Sequence, residues 1–282
     1  MQTPPQHELS IEDLFKGDFQ LATSPNIYFE LKKILDDPNK SLVDAAFVIE
    51  KDPSLAIRLL KIVNSAYYGF PSQILSIDRA MSIIGIKEIQ VLTLSTVVID
   101  RFSDIPEELM SMHDYWARSL RCALIAKKID AHLGNEFSEA AFICGLLHNI
   151  GQLVFFRRIP ELAKEVSLML QPLNNSTDID EINFEKNIIG FDHYQAGATL
   201  TKLWKLPDII TESIRLHPYT DNTECYHKIA SIIKTADCYS KIDTECCDKV
   251  INSLEILTAD MSIIIEQSHE EFEAIFKIFY PE

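Results

Sequence analysis

Glycine and proline are scarce in this chain, eight and twelve among 282 residues, and no Val/Thr-rich alternating run is present. So few turn-formers and no period of two argue against a fold of short strands. Paired cysteines are missing as well: Cys122, Cys144, Cys225, Cys238, Cys246 and Cys247 show no CxxC spacing. Cys144 lies in an apolar run and reads as a small core residue. Cys246 and Cys247 are adjacent and too strained to bridge, so reduced thiols and a cytoplasmic location are expected. Positive charge is in deficit, with 26 Lys+Arg against 42 Asp+Glu and a net charge of −16. Such a surface repels phosphate backbones, which argues against a nucleic-acid partner. Acidity is otherwise an ordinary aid to solubility and identifies nothing by itself. No apolar stretch approaches the roughly 18 residues of a membrane helix. Residues 1–10 lack the basic-then-apolar order of a secretory leader, so neither membrane nor export is expected. GxGxxG, P-loop, GxSxG and HExxH motifs are absent too.

What the chain does have is helical spacing. Its 47% hydrophobic content can bury a sizeable core in one or two domains. Leu55, Leu59, Ile62 and Val63 form one apolar stripe, and Leu120, Leu124, Ile125 and Ile129 another. Ile209, Ile210 and Ile214, then Ile229, Ile232 and Ile233, continue the habit. Asp52-Pro53 has the form of a helix start, an N-cap carboxylate before a first-turn proline. Gly134-Asn135 has the form of a helix end. Residues 102–107, 171–180 and 218–223 read as loops. The fold class is therefore all-α, without internal repeats. The basic pairs Lys127-Lys128 and Arg157-Arg158 read as solvated helix surface.

Gly145-Leu146-Leu147-His148-Asn149-Ile150-Gly151 resembles the signature of the HD superfamily of metal-dependent phosphohydrolases, with one change. The superfamily places His then Asp here, and both hold metal; this chain has His148 and Asn149. An aspartate offers a charged oxygen, whereas an asparagine offers only a carbonyl dipole. Asp52-Pro53-Ser54-Leu55, Arg58-Leu59-Leu60, Asn64-Ser65-Ala66-Tyr67-Tyr68-Gly69, Asp78-Arg79-Ala80 and Ile84-Gly85 resemble the opening of the HDOD family, the HD-related output domain. Trp116-Ala117-Arg118-Ser119-Leu120 is similar to the helix that carries the first metal histidine in HD enzymes. Glu185, Gly190, Asp192-His193, Gly197, Trp204, Leu206-Pro207 and His217 are similar to the second half. The resemblance implies an HD-domain-like helical bundle over residues 21–218. It has an N-terminal lobe of about 21–100 and an HD-like lobe of about 107–218. Residues 1–20 are an extension, and residues 219–282 a helical extension packed on the HD-like lobe.

By this resemblance the metal positions read Arg118, His148, Asn149 and Asp237. Two ligands of four remain, and Arg118 sets a permanent cation where the metal belongs. At about 4 Å and an effective dielectric near 20, one charge pair is worth about 4 kcal/mol, and a divalent ion feels about twice that as repulsion. Arg118 is expected to neutralise Asp237 or another buried acid. His148, His193 and His217 are more ordinarily hydrogen-bonded structural residues than ligands. If a metal were held, its ligands would come from His148, His193, His217 and Asp237. His217 is followed by Pro218 where the family often has a second histidine. Glu185 and Asp192 flank His193 and could orient it. Asn64 and Ser65 are expected to end their helix and stabilise the junction between lobes.

HDOD domains are thought to act as outputs or scaffolds in signal transduction. The resemblance thus implies a non-enzymatic bacterial regulatory module without cofactor, working through contacts with a signalling protein. No receiver, sensor or cyclase segment fits in the remaining length. Two rivals stand beside this reading: a metal-dependent phosphohydrolase with a rebuilt site, and a receptor for a small anionic or nucleotide ligand. A phosphate-like anion would suit Arg118 beside several histidines.

Overall fold

The computed structural model describes residues 9–18, 21, 24–137, 139–173, 177–219, 226–241 and 254–280. Among them every regular element is a helix, as the stripes and the missing period of two imply. Cys225, Cys246 and Cys247, and most of the loop expected at 218–223, lie outside the described residues.

The N-terminal lobe holds α1 (Asn26–Leu35), α2 (Leu42–Glu50), α3 (Pro53–Val63), α4 (Ile77–Ile84) and α5 (Ile86–Arg101). Asp52 caps α3 as expected, accepting from Leu55 N at 3.1 Å with Pro53 in the first turn. The stripe of Leu55, Leu59, Ile62 and Val63 is buried. Gly85, at φ 91°, takes the left-handed conformation that lets α4 and α5 meet at 120°.

The second lobe is built on α6 (Met112–His132), followed by α7 (Glu139–Leu147), α8 (Ile150–Arg158), α9 (Pro160–Leu170), α10 (Asp178–Ile188), α11 (His193–Leu203), α12 (Asp208–Leu216) and α13 (His227–Ser240). α6 is the axle: α7, α13 and α14 (Thr258–Phe279) all pack along it. It ends where Gly134 and Asn135 turn left-handed, and Asn135 N donates to Asp130 O at 2.7 Å. α14 also reaches the first lobe, because Arg58 on α3 donates to Ile278 O and Phe279 O. Residues Glu139–Arg158 together are long and apolar enough to cross a membrane by composition, contrary to the sequence expectation. They are 78% buried inside the fold and broken by a turn at His148 and Asn149, which is how a core element looks.

Two further expectations are corrected. The basic pairs are not solvated surface. Arg157 is 12% exposed and donates to Asp18 Oδ2, Asp104 Oδ1 and Arg101 O, while Arg158 donates to Leu14 O and Lys16 O. Lys127 on α6 meets Glu88 of α5 at 2.9 Å, and Lys128 meets Glu271 of α14 at 2.7 Å. Their partners lie dozens of residues away, so no local pattern announces them. Asn64 does end α3 as expected, but it works within one lobe and not at the junction: Nδ2 donates to Leu60 O and Ile74 O, and Oδ1 accepts from Ile74 N at 2.7 Å. Across the lobes, Lys127 Nζ reaches Glu88, which also accepts from Tyr68 Oη of its own lobe, and Arg58 adds its bonds to the end of α14.

Two glycines of the 145–151 motif set how closely the helices approach. A Cβ on Gly145 would stand 2.7 Å from Ala123 Cα of α6, and one on Gly151 would stand 1.8 Å from His193 O at the start of α11. These contacts draw His148 and Asn149 towards α6 and α11. Because backbone cannot yield as a flexible side-chain tip does, Gly151→Ala should cost about 3 kcal/mol or more. Urea unfolding should show this as a lowered midpoint with an unchanged slope. A midpoint like that of wild type would refute the contact.

Candidate functional site

Six elements deliver the expected residues to one place in the second lobe. α6 supplies Arg118, the α7–α8 turn supplies His148 and Asn149, and α10 supplies Glu185. α11 opens with His193, α12 closes on His217, and α13 carries Asp237. Apart from Arg118, a third exposed, each side chain is buried, at most 3% exposed.

Asp237 is the centre. Its Oδ1 accepts from Arg118 Nη2 at 2.6 Å and Nε at 3.2 Å, and lies 2.9 Å from His148 Nε2. Lys241 Nζ stands 3.3 Å from Oδ2. Burial alone would push the carboxyl up, but Arg118 first and His148 next hold it well below the usual carboxylate range. Lys241 adds to the same pull.

The histidines face other partners than a metal. His148 Nδ1 lies 2.7 Å from Gly145 O, and Nε2 lies 2.9 Å from Asp237 Oδ1, so both ring nitrogens face acceptor oxygens. His193 Nδ1 lies 2.8 Å from Glu185 Oε1, and its backbone N–H donates to Glu185 Oε2 at 2.9 Å. Burial works against charging His193, yet Glu185 and Glu181 prevail and raise it to about 9. Burial likewise pushes Glu185 up, against the opposing pull of His193. Nε2 of His193 is 3.4 Å from Asn149 Oδ1. His217 donates from Nδ1 to Ile214 O at 3.0 Å, and its buried Nε2 has no partner. Burial, and then the neighbouring His148, push His217 down to about 3, so the orphaned nitrogen is a bare acceptor.

Asp192 does not orient the His193 ring as expected of it. It accepts from Gln195 N at 2.8 Å, capping α11, and pairs with Lys186 at 3.1 Å and Tyr219 Oη at 3.2 Å. Glu185 alone does the orienting. Glu181 was missed from the sequence, although it stands four residues before Glu185 on one helix face. Its Oε1 lies 4.0 Å from His193 Nδ1 and accepts from Gln152 Nε2 at 2.7 Å.

The four positions His148, His193, His217 and Asp237 do not fit a divalent ion. A metal needs converging lone pairs, but Asp237 is satisfied by cations and two of the three rings point N–H groups at acceptors. Only His217 Nε2 is free. Among the described residues, the ligand atoms that do converge, within 4.8 Å of one another, belong to Glu181, Glu185 and His193.

A protein of Treponema pallidum (strain Nichols), itself uncharacterised, is 27% identical over 194 residues, 68% of this chain. The chain spans 36% of the length of that curated relative. A Shewanella amazonensis SB2B structure described as a candidate phosphohydrolase superposes with a TM-score of 0.74 at 22% identity. It covers 94% of this chain and 97% of its own. A Marinobacter aquaeolei VT8 structure described as a candidate signal transduction protein superposes at 0.72 with 20% identity, over 90% of this chain and 59% of that one. At these identities the structures establish the fold. The HDOD domain family matches residues 21–219, a span holding Arg118, His148, Asn149, His193 and His217 and ending before Asp237; the chain belongs to that family.

Proposed function

We propose that this protein is a non-enzymatic regulatory module of bacterial signal transduction, cytoplasmic and free of cofactor, that acts by contacting a partner protein. The observation that carries the reading is the Arg118–Asp237 pair at 2.6 Å. A guanidinium stands where the resemblance puts a metal ligand, and it takes up the one remaining carboxylate. Hydrolysis in the superfamily depends on a metal that lowers the pKa of a bound water, and that step has no support here. A phosphate-like anion would have to compete with Asp237 for the same guanidinium. The buried free thiols Cys122 and Cys144 suit a reducing compartment. The description of the Marinobacter structure agrees with a signalling role, and that of the Shewanella structure names the rival. Large apolar side chains exposed in the N-terminal lobe (Val43, Phe47, Ile57, Leu75, Ile83), beside others such as Leu168 and Leu257 elsewhere, leave apolar surface for such a contact.

Metal analysis of the purified protein, with a manganese-supplemented assay on a generic phosphodiester, tests the reading. The expected result is substoichiometric metal and no turnover. Stoichiometric iron, manganese or zinc, with activity lost in His148→Ala, would overturn it.

Restoring the superfamily pattern is a sharper test. Arg118→His with Asn149→Asp removes a cation and adds a carboxylate and an imidazole, a change worth several kcal/mol, about two charge units, for a divalent ion. Manganese titration by calorimetry should show the folded double variant binding well beyond either single one. Affinity equal to wild type would mean that the pocket was lost for other reasons.

The same pair should act as a structural lock. Asp237→Ala strands Arg118, His148 and Lys241 without their carboxylate and should cost about 3–5 kcal/mol. Arg118→Met combined with Asp237→Asn should cost less than the sum of the two single changes, as a coupled pair does. Strict additivity in chemical unfolding would show that the pair is not coupled.

A further inference from the structure

Beyond the closed pocket lies a cavity of about 300 Å³, bounded by α8, α9, α10 and the turn after α5. Phe155, Val166, Leu170 and Met110 give it apolar walls, and its charged lining groups are two carboxylates, Glu181 and Glu185. Neither lysine nor arginine lines it. The two carboxylates are not equivalent. Both oxygens of Glu185 are met by His193, through Nδ1 and the backbone N–H. Glu181 is nearer the surface and accepts its hydrogen bond from Gln152 Nε2, a neutral amide. Arg118, the other cation near it, is drawn to Asp237. Glu181 thus presents a carboxylate with no cationic hydrogen-bond partner among the described residues at one end of an apolar cleft.

From this arrangement we propose that the cleft is a binding site for a small organic cation, an ammonium or amidinium head on an apolar body, with the head at Glu181 and the body along Phe155 and Val166. The volume suits a ligand of about ten non-hydrogen atoms, taking about 30 Å³ as the space of one water. A carboxylate at the end of a mostly apolar cavity orients such a ligand and gives it specificity. The same carboxylates repel an anion, so this site is distinct in place and in sign from an anion receptor at Arg118. It does not depend on the regulatory reading, since a ligand could bind whether or not a partner protein does.

Calorimetric titration of the intact protein with hexylammonium tests the proposal. Methylammonium controls for charge without a body, and hexanoate for the body with the opposite charge. Two variants accompany wild type. Glu181→Gln removes the charge at constant shape. Gln152→Lys places a built-in ammonium against Glu181. Both positions are half-buried, and thermal melts confirm folding; either variant alone decides the matter if the other fails to fold. The expected result is saturable one-to-one binding of hexylammonium, at least about tenfold weaker in each variant. Methylammonium and hexanoate should not bind. Absence of saturable binding by wild type up to roughly 10 mM, a ligand concentration that would still detect a weak site, would overturn the proposal. So would equal binding of hexanoate, or undiminished binding by Glu181→Gln.

Discussion

A carboxylate that is 2% exposed cannot stay ionised on its own, and Asp237 is such a group. Arg118, His148 and Lys241 all turn to it, and they come from three separate parts of the second lobe. One buried charge therefore fixes the relative positions of α6, the α7–α8 turn and the end of α13. A metal in a related fold would do the same through coordinate bonds. Here ion pairing and charge-assisted hydrogen bonds do it, with the difference that the partners are saturated by one another and leave little for a third party.

The backbone makes that convergence geometrically feasible. α8 lies so close to α11 that a Cβ on Gly197 would stand 3.2 Å from Gly151 N, besides the far tighter fit at Gly151 itself. The same approach brings Asn149 against His193, and Glu185 then fixes the ring from its other side. Each glycine is thus needed for proximity and not for a turn: Gly145 and Gly151 do not carry positive φ. Reading them as helix-breakers would have misplaced the motif.

The sequence made much of the fold legible because the signals were local. Periodic apolar residues such as Leu55, Leu59 and Ile62 report a buried helix face from a few neighbouring positions, and Asp52-Pro53 reports a helix start from two. The pocket residues were legible through the family resemblance, which fixes their order along the chain. What could not be read was pairing at a distance. Arg157 reaches Asp18 across 139 residues and Lys127 reaches Glu88 across 39, and no short window contains both members. Asn64 misled for a related reason: its partner Ile74 is only ten residues away, but in a segment without periodicity. Glu181 stands one helical turn from Glu185, outside the positions where the family carries ligands, so the resemblance does not mark it.

His193 shows how the two regions are separated. Its Nδ1 side belongs to Glu185, which lines the open cleft, and its Nε2 side belongs to Asn149, in the closed pocket. Burial opposes charging the ring, but the glutamates on one side outweigh the loss of water and raise it to about 9. Glu185 thereby occupies Nδ1, and Nε2 faces the amide oxygen of Asn149. With an aspartate at 149, the ring would face a second negative oxygen and the local balance would turn towards a cation. With the neutral amide, His193 meets a carboxylate on one side only, at Glu185.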